Sequence, residues 1–142
     1  MSANASPIFT KVADIQWIGP CTAANNTIDI TSGTSYLVFT ADATNGGLVQ
    51  DLRVKANPGN STIATVMRVW LNNGSTTVTA LNSTLLAELG LPATTTSATA
   101  ALPDFSLPLG IALPPGYRLY VTFGTAPGGS GSFAVAAIGG KY

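Results

Sequence analysis

Residues 48–56 read LVQDLRVKA and are followed at once by the turn sequence NPGN at 57–60. All three charged residues of this stretch fall on odd positions, and they share that set with Val49. The even positions are largely apolar. This period of two indicates a half-buried β-strand with one face toward a core and a charged face toward solvent. The Pro-Gly pair that follows ends the strand in a turn. The odd positions are Val49, Asp51, Arg53 and Lys55, and the even positions are Leu48, Gln50, Leu52, Val54 and Ala56.

Outward from this strand, short β segments separated by Gly, Pro and Asn turns continue in both directions. Predicted strands cover 14–18 (ended by Gly19-Pro20), 34–41, 62–71, 76–79, 107–113, 117–124 and 133–138. Residues 82–91 fit either a helix, with leucines four residues apart, or a strand. We favour the strand because its surroundings are β. Both faces of 62–71 are apolar, as in a strand covered on two sides or facing a neighbouring subunit.

This spacing predicts an all-β, single-domain β-sandwich of about eight strands, most simply a jelly roll. We assign residues 1–12 to an N-terminal arm and residues 13–142 to the sandwich. Neither a repeat nor a linker divides the chain of 142 residues. A domain of this length buries enough surface to fold without disulfides or a structural metal.

The low charge of the chain bears directly on its function. It has six Lys or Arg, six Asp or Glu and no His, while 46% of it is hydrophobic. Catalytic and metal sites need converging titratable or ligating groups, and a Ser-His-Asp arrangement needs histidine. We therefore expect no enzymatic activity, no cofactor and no metal. The segment 42–46 (DATNG) resembles a calcium loop only faintly, and an Asx-type turn is the better interpretation.

The other common partner classes are also disfavoured. The basic residues are scattered, whereas nucleic-acid binding needs a basic stripe. The apolar runs fall far short of the ~20 residues of a membrane helix, and the first residues lack the pattern of a signal peptide. The single Cys21 cannot form an intramolecular disulfide and is expected to be a small apolar residue, partly buried.

A folded domain with so little charge is best understood as one that lies against other protein. Tryptophan is enriched at interface hot spots, although both tryptophans also suit a core. The arm offers few apolar anchors and either frays or lies across a neighbouring subunit. The candidate interface anchors are Ile8, Phe9, Trp17 and Trp70.

Several blocks of the sequence resemble small proteins encoded in the structural modules of tailed bacteriophages. The blocks are 15–18 (IQWI), 32–42 (SGTSYLVFTAD), 45–47 (NGG), 113–122 (LPPGYRLYVT) and 137–142 (AIGGKY). The relatives best understood are jelly-roll cement or decoration proteins, whose working parts are surfaces.

The resemblance implies a non-enzymatic virion protein, made in the host bacterial cytoplasm. It implies a homo-dimer or homo-trimer that binds the outer capsid surface and stabilises contacts between major capsid proteins. The alternative is a receptor- or carbohydrate-binding module of a head fibre or tail. That alternative calls for exposed aromatic rings that stack on sugars, and the candidates are Tyr36, Tyr117 and Tyr120.

Overall fold

The computed structural model describes residues 9–27 and 29–142. The part of the chain that it describes contains no α-helix, and its eight strands form two antiparallel sheets. The strands are β1 (Val12–Cys21), β2 (Tyr36–Thr40), β3 (Gly47–Ala56), β4 (Thr65–Asn72), β5 (Ser83–Leu91), β6 (Asp104–Leu113), β7 (Arg118–Phe123) and β8 (Phe133–Lys141). The predicted all-β sandwich is confirmed.

The strand pairing follows one simple rule. The first strand pairs with the last, β2 with β7, β3 with β6 and β4 with β5. The chain is thus a long antiparallel hairpin whose four strand pairs are divided alternately between two sheets. Two more pairings, β3 with β8 and β4 with β7, complete the orders β1-β8-β3-β6 and β2-β7-β4-β5.

Strand β3 confirms the prediction for 48–56 but corrects its side-chain assignments at Val49 and at Gln50, which was predicted on the largely apolar face and is exposed. Arg53 and Lys55 are exposed and Leu52 is buried, as the alternation requires. Val49, however, is fully buried, because the pairing register shifts between Val49 and Asp51. A β-bulge adds one residue and so moves side chains to the opposite face. The assignment of Val49 to the charged face was therefore wrong.

The main core lies between the two sheets and is built from the inward side of nearly every strand. Phe123 and Phe133 stack at its centre, with ring centroids 5.6 Å apart and planes inclined by 7°. Tyr36 meets Phe123 edge-on, with 6.1 Å between centroids. Further buried members are Cys21, Phe39, Val49, Leu52, Val54, Met67, Val69, Leu119, Val121 and Val135.

A second, smaller core covers the outer face of the sheet that contains β4. Trp70 and Tyr120 project outward from β4 and β7 and are covered by Ile30 and Val78, which lie on the β1–β2 and β4–β5 connections. This cover explains the apolar Trp70 on the outer face of β4, whereas Val66 of the same strand is 37% exposed. Two connections of the same chain supply the cover.

The structure corrects two local predictions and decides a third. Strand β1 does not end at Gly19-Pro20 but continues through that pair to Cys21. Residues 76–79 are not a strand, because they belong to the connection that covers the second core. Residues 83–91 are a strand and not a helix, since β5 pairs with β4 along its whole length.

Candidate interaction surface

The most exposed large apolar side chains within a strand lie on β1. Trp17 is 69% exposed and Ile15 is 63% exposed. In the pairing with β8, Trp17 lies opposite Ala136 and Ile15 lies opposite Ile138. Directly opposed residues of an antiparallel pair share one face of the sheet. We call the surface formed by Ile15, Trp17, Ala134, Ala136 and Ile138 the Trp17 face. The alanines of β8 leave one side of the indole ring unobstructed.

A charged network borders the Trp17 face on the next two strands, β3 and β6. The Arg53 guanidinium contacts the Asp51 carboxylate at 3.0 Å and the Asp104 carboxylate at 2.8 Å. The hydroxyl of Ser106 donates to Asp51 at 2.8 Å. The outer face of this sheet is therefore half apolar and half polar. The charges of Asp51, Arg53 and Asp104 pair with one another, whereas Lys55, opposite Ala134 of β8, takes part in none of the ion pairs of the described residues. Such a border resembles the polar rim around an interface core.

The polarity of β1 is reversed relative to an ordinary amphipathic strand. Asp14 and Gln16 are partly buried, whereas Ile15 and Trp17 point to solvent. The reason lies at the end of the sandwich where the edge strands β1 and β2 meet. The Gln16 side chain accepts a hydrogen bond from the Thr40 backbone N–H and donates one to the Thr40 carbonyl, both at 2.9 Å. Gln16 thereby joins the edge strands of the two sheets and keeps the neighbouring Trp17 directed outward.

The predicted arm adjoins this same strand. Ile8 lies outside the described residues, and Phe9 is 82% exposed. The backbone N–H of Lys11 donates to the Lys141 carbonyl at 2.8 Å, so the chain is already attached to the sheet one residue before β1 begins at Val12. Among the described anchors, Phe9 and Trp17 are thus presented to solvent by the same edge of one sheet.

Trp70 occupies a different environment from Trp17. It is 4% exposed in the second core, and its indole N–H donates to the hydroxyl of Thr122 at 3.0 Å. A buried indole usually has such a hydrogen-bond partner. Trp70 takes the core position that the sequence permitted, and it does not contribute to the exposed surface.

The three tyrosines named for sugar stacking are not presented as exposed rings. Tyr120 is buried, and Tyr117 packs partly against the main core. The hydroxyl of Tyr36 accepts hydrogen bonds from the backbone N–H groups of Thr22 and Ala23 at 3.0 and 2.9 Å. These rings serve the fold.

Each of the carboxylates has a structural partner, which leaves little for acid–base chemistry. The Asp51–Arg53–Asp104 network and the Arg68–Glu88 pair, at 2.8 Å, account for three of them. Asp14 accepts from Gln16, and Asp29 accepts from a backbone N–H two residues ahead. No group of three His, Cys, Asp or Glu that could hold a metal ion occurs in residues 9–27 and 29–142.

The predicted turn at 42–46 forms around Asp42. Its carboxylate accepts hydrogen bonds from the backbone N–H groups of Asn45 and Thr44 at 2.8 and 2.9 Å. These two bonds, that of Asn45 first, lower the pKa of Asp42. One carboxylate oxygen, Oδ1, accepts both bonds and caps the turn, which agrees with the Asx-type interpretation.

Cys21 is fully buried in the main core, and burial raises the pKa of its thiol to about 12. A thiol in such an apolar site is present almost entirely as the unreactive protonated form at neutral pH.

The clefts of the described surface are open and shallow. One of about 360 Å³ lies beside Leu81, and one of about 420 Å³ lies beside Val66. A third, of about 470 Å³, lies between Lys55 and Leu102. Leu81 is 99% exposed and was not among the predicted surface residues. Its position just before the turn residue Asn82 was the available signal.

Among the described residues, no helix is long and apolar enough to cross a membrane. No protein-family model, curated protein or solved structure matches this chain.

Proposed function

We propose that this protein is a non-enzymatic virion structural protein, a cement or decoration subunit that binds the outer capsid surface and stabilises contacts between major capsid proteins. The observation that carries the proposal is the Trp17 face. There Trp17 is 69% exposed and lies next to the small side chains of Ala134 and Ala136 on β8. Large exposed aromatic side chains with small neighbours are typical of binding hot spots, which seat an aromatic anchor in a pocket of the partner.

The electrostatics around the Trp17 face suit a protein partner. The bordering charges of Asp51, Arg53 and Asp104 are already paired within the chain, so a partner that approaches Trp17 and covers them leaves none of these three isolated. Burial of an unpaired charge would oppose binding strongly. Contacts of this kind rely little on screened charge pairs and therefore work over a range of salt concentrations.

The strand order supports a jelly roll for the fold, which suits the proposed role. A long hairpin of four strand pairs divided alternately between two sheets is the arrangement expected when such a hairpin rolls up. Jelly rolls are common among viral capsid domains. Together with the sequence blocks that resemble phage decoration proteins, this order favours a place in the virion.

The magnitude expected for the anchor follows from its area. Trp17 is 69% exposed, which corresponds to about 170 Å² for a residue that buries up to ~250 Å². At ~25 cal/mol per Å², full burial would contribute at most about 4 kcal/mol. If half of that is realised in a complex, Trp17→Ala weakens binding by about 2 kcal/mol, or ~30-fold.

The test is cosedimentation of the purified protein with expanded capsids that lack it, and in parallel with tails of the same particle. We expect saturable binding to heads, raised resistance of those heads to heat, and a ~30-fold loss of affinity for Trp17→Ala. Leu81→Ala is the matched control, because Leu81 is an exposed apolar residue on the other sheet's connections. Binding to tails, or only to host glycans, would overturn the capsid assignment and favour the fibre or receptor-binding module.

A further inference from the structure

One charged residue beside the Trp17 face differs from its charged neighbours. Lys55 is exposed on β3, and none of the ion pairs of the described residues includes it. Within the sheet it lies opposite Asp104 of β6, but that carboxylate contacts Arg53 at 2.8 Å. The carboxylate of Asp51 contacts the same guanidinium at 3.0 Å. In the free protein, water therefore solvates the ammonium group of Lys55.

Lys55 is close enough to Trp17 for one partner to cover both. Trp17 lies opposite Ala136 of β8. On the other side of β8, Lys55 lies opposite Ala134. Two strand spacings of ~4.8 Å and two residue steps of ~3.4 Å separate the Cα atoms of Trp17 and Lys55 by about 12 Å. A circular interface of ~800 Å² per partner extends about 16 Å from its centre. A partner centred on Trp17 therefore reaches Lys55.

The surface between Trp17 and Lys55 is apolar and continues into a cleft. On β8, the side chains that face outward between them are the methyl groups of Ala134 and Ala136. Beside Ala134 lies the cleft of about 470 Å³, and Lys55 is the charged residue of its lining. Binding sites of this size are lined mainly by apolar groups, with a few polar groups that fix the ligand. The apolar residues that line the cleft are Ala56, Pro58, Ala100, Ala101, Leu102 and Ala134.

A partner that excludes water from this surface has to replace the water around Lys55. A charge that is buried without a counter-ion opposes binding strongly. A carboxylate at hydrogen-bond distance from the ammonium group offsets that loss with a charge-assisted hydrogen bond. The neighbouring charges of β3 and β6 already pair with one another. The partner therefore needs to supply charge of one sign, and it needs to supply it at Lys55.

We infer that the capsid surface that binds the Trp17 face presents a carboxylate to the ammonium group of Lys55, next to an apolar side chain that enters the cleft beside Leu102. This inference rests on the proposed function, because it specifies the chemistry of the surface that Trp17 contacts. Trp17 then supplies apolar contact area, and Lys55 selects surfaces that carry an acidic group at the right distance. A surface with a basic group at that place is rejected, because like charges brought together reduce affinity.

The first test is cosedimentation of the full chain with expanded capsids that lack it, for variants of one lysine. Relative to the wild-type protein, we expect Lys55→Arg to bind within about 3-fold and Lys55→Gln to bind about 10-fold more weakly. Lys55→Glu should bind at least about 100-fold more weakly, because it repels the partner's carboxylate. Urea unfolding checks that each variant is folded. Lys55→Gln places no negative charge opposite Asp104, so it keeps the test decisive if Lys55→Glu does not fold.

Lys11→Glu is the matched control, because it changes the net charge by the same amount. Lys11 is exposed and lies six residues before Trp17, a distance of about 20 Å along the edge strand. It should bind capsids like the wild-type protein. An equal loss of affinity in Lys11→Glu and Lys55→Glu would trace the effect to net charge and overturn the inference.

The outcomes separate the inference from the proposed function. If the wild-type protein binds heads and Trp17→Ala weakens that binding, while Lys55→Gln and Lys55→Glu bind as tightly as the wild type, the carboxylate is overturned and the proposed function stands. If the wild-type protein does not bind heads, both are overturned.

A second measurement uses the wild-type protein and identifies the partner's group directly. A water-soluble carbodiimide activates a carboxylate and joins it to an amine in contact with it; an amide bond forms, and the carbodiimide takes up the elements of water as a urea. Applied to the capsid-bound protein, it should join Nζ of Lys55 to a carboxylate of the major capsid protein, which mass spectrometry of the linked peptides locates. Lys55→Arg should bind without this cross-link. Capsid cross-links through Lys11 alone, or none, would overturn the inference.

Discussion

The closure of the sandwich by Gln16 gives the most direct physical prediction. The side-chain amide of Gln16 makes two hydrogen bonds of 2.9 Å with the backbone of Thr40, and it also donates to Asp14 at 3.0 Å. Gln16→Ala removes both links between β1 and β2. The Thr40 side chain takes no part in these two bonds, so the perturbation is confined to the junction of the two sheets.

The expected loss of stability can be worked from these bonds. A hydrogen bond contributes about 1 kcal/mol net, so two of them amount to about 2 kcal/mol. Thr40 is only partly buried, and water can therefore replace some of what is lost. For a chain of this size, about 2 kcal/mol corresponds to a fall in Tm of about 6 °C. Urea unfolding followed by tryptophan fluorescence measures the free energy, and calorimetry measures Tm.

The control is Gln50→Ala, at the exposed glutamine of the β3 bulge, which should change the free energy of unfolding by less than about 0.5 kcal/mol. Hydrogen exchange gives a local readout, because the Thr40 backbone N–H donates to the Gln16 side chain and should be protected in the wild-type protein. Exchange at Thr40 should accelerate in Gln16→Ala and stay slow in Gln50→Ala. Equal stability of the two variants, with Thr40 still protected in both, would refute the proposed closure.

Four further predictions concern the core, the turn and the close contact between strands. Cys21, with a thiol pKa of about 12, should resist thiol reagents at pH 8 in the folded protein and react once urea unfolds it; rapid labelling of the native state would contradict its burial. Asp42, whose pKa is lowered, should stabilise the fold above the ordinary Asp pKa, and this contribution should vanish as the pH falls through the lowered value. Asp42→Asn lacks this pH-dependent contribution, so the free energies of unfolding of the two proteins, measured with urea at several pH values, should approach each other in acid. A difference that stays constant with pH would contradict the prediction. Gly139→Ala should destabilise by roughly 3 kcal/mol or more, because the new methyl group would collide with the backbone of β3, whereas Gly90→Ala, with no atom within 4 Å, should change little; similar unfolding midpoints would contradict this contrast. Trp70→Phe should cost about 1–2 kcal/mol, since its indole hydrogen bond is lost in a buried cluster, and an unchanged urea midpoint would argue against that bond.

The strands could be predicted because each depends on local pattern. The alternation in 48–56 identified β3, and turn sequences such as NPGN marked where strands end. The side-chain facing was less predictable. The burial of Val49 depends on a bulge opposite Gly139, where the two backbones approach too closely for a side chain, and this approach is a property of the paired strands.

The two tryptophans show the same difference between what local pattern predicts and what contacts in space decide. Trp17 and Trp70 each stand in an apolar β segment, and the sequence allowed either to be core or surface. Trp70 became buried because Ile30 and Val78, on distant connections, fold over it. Trp17 stayed exposed because Gln16 turns inward to bond with Thr40, which forces its neighbour outward.

The all-β class, most strand positions, the Asx-type turn at Asp42 and the scarcity of charge can be read from the residues alone, because they depend on composition and on residues near one another in the chain. Tertiary contacts settle which end of the sandwich is closed and which tryptophan faces solvent. Those features depend on contacts between residues far apart in sequence, such as Gln16 with Thr40. A periodic pattern specifies that a strand has two faces, and only its neighbours in space specify what each face meets.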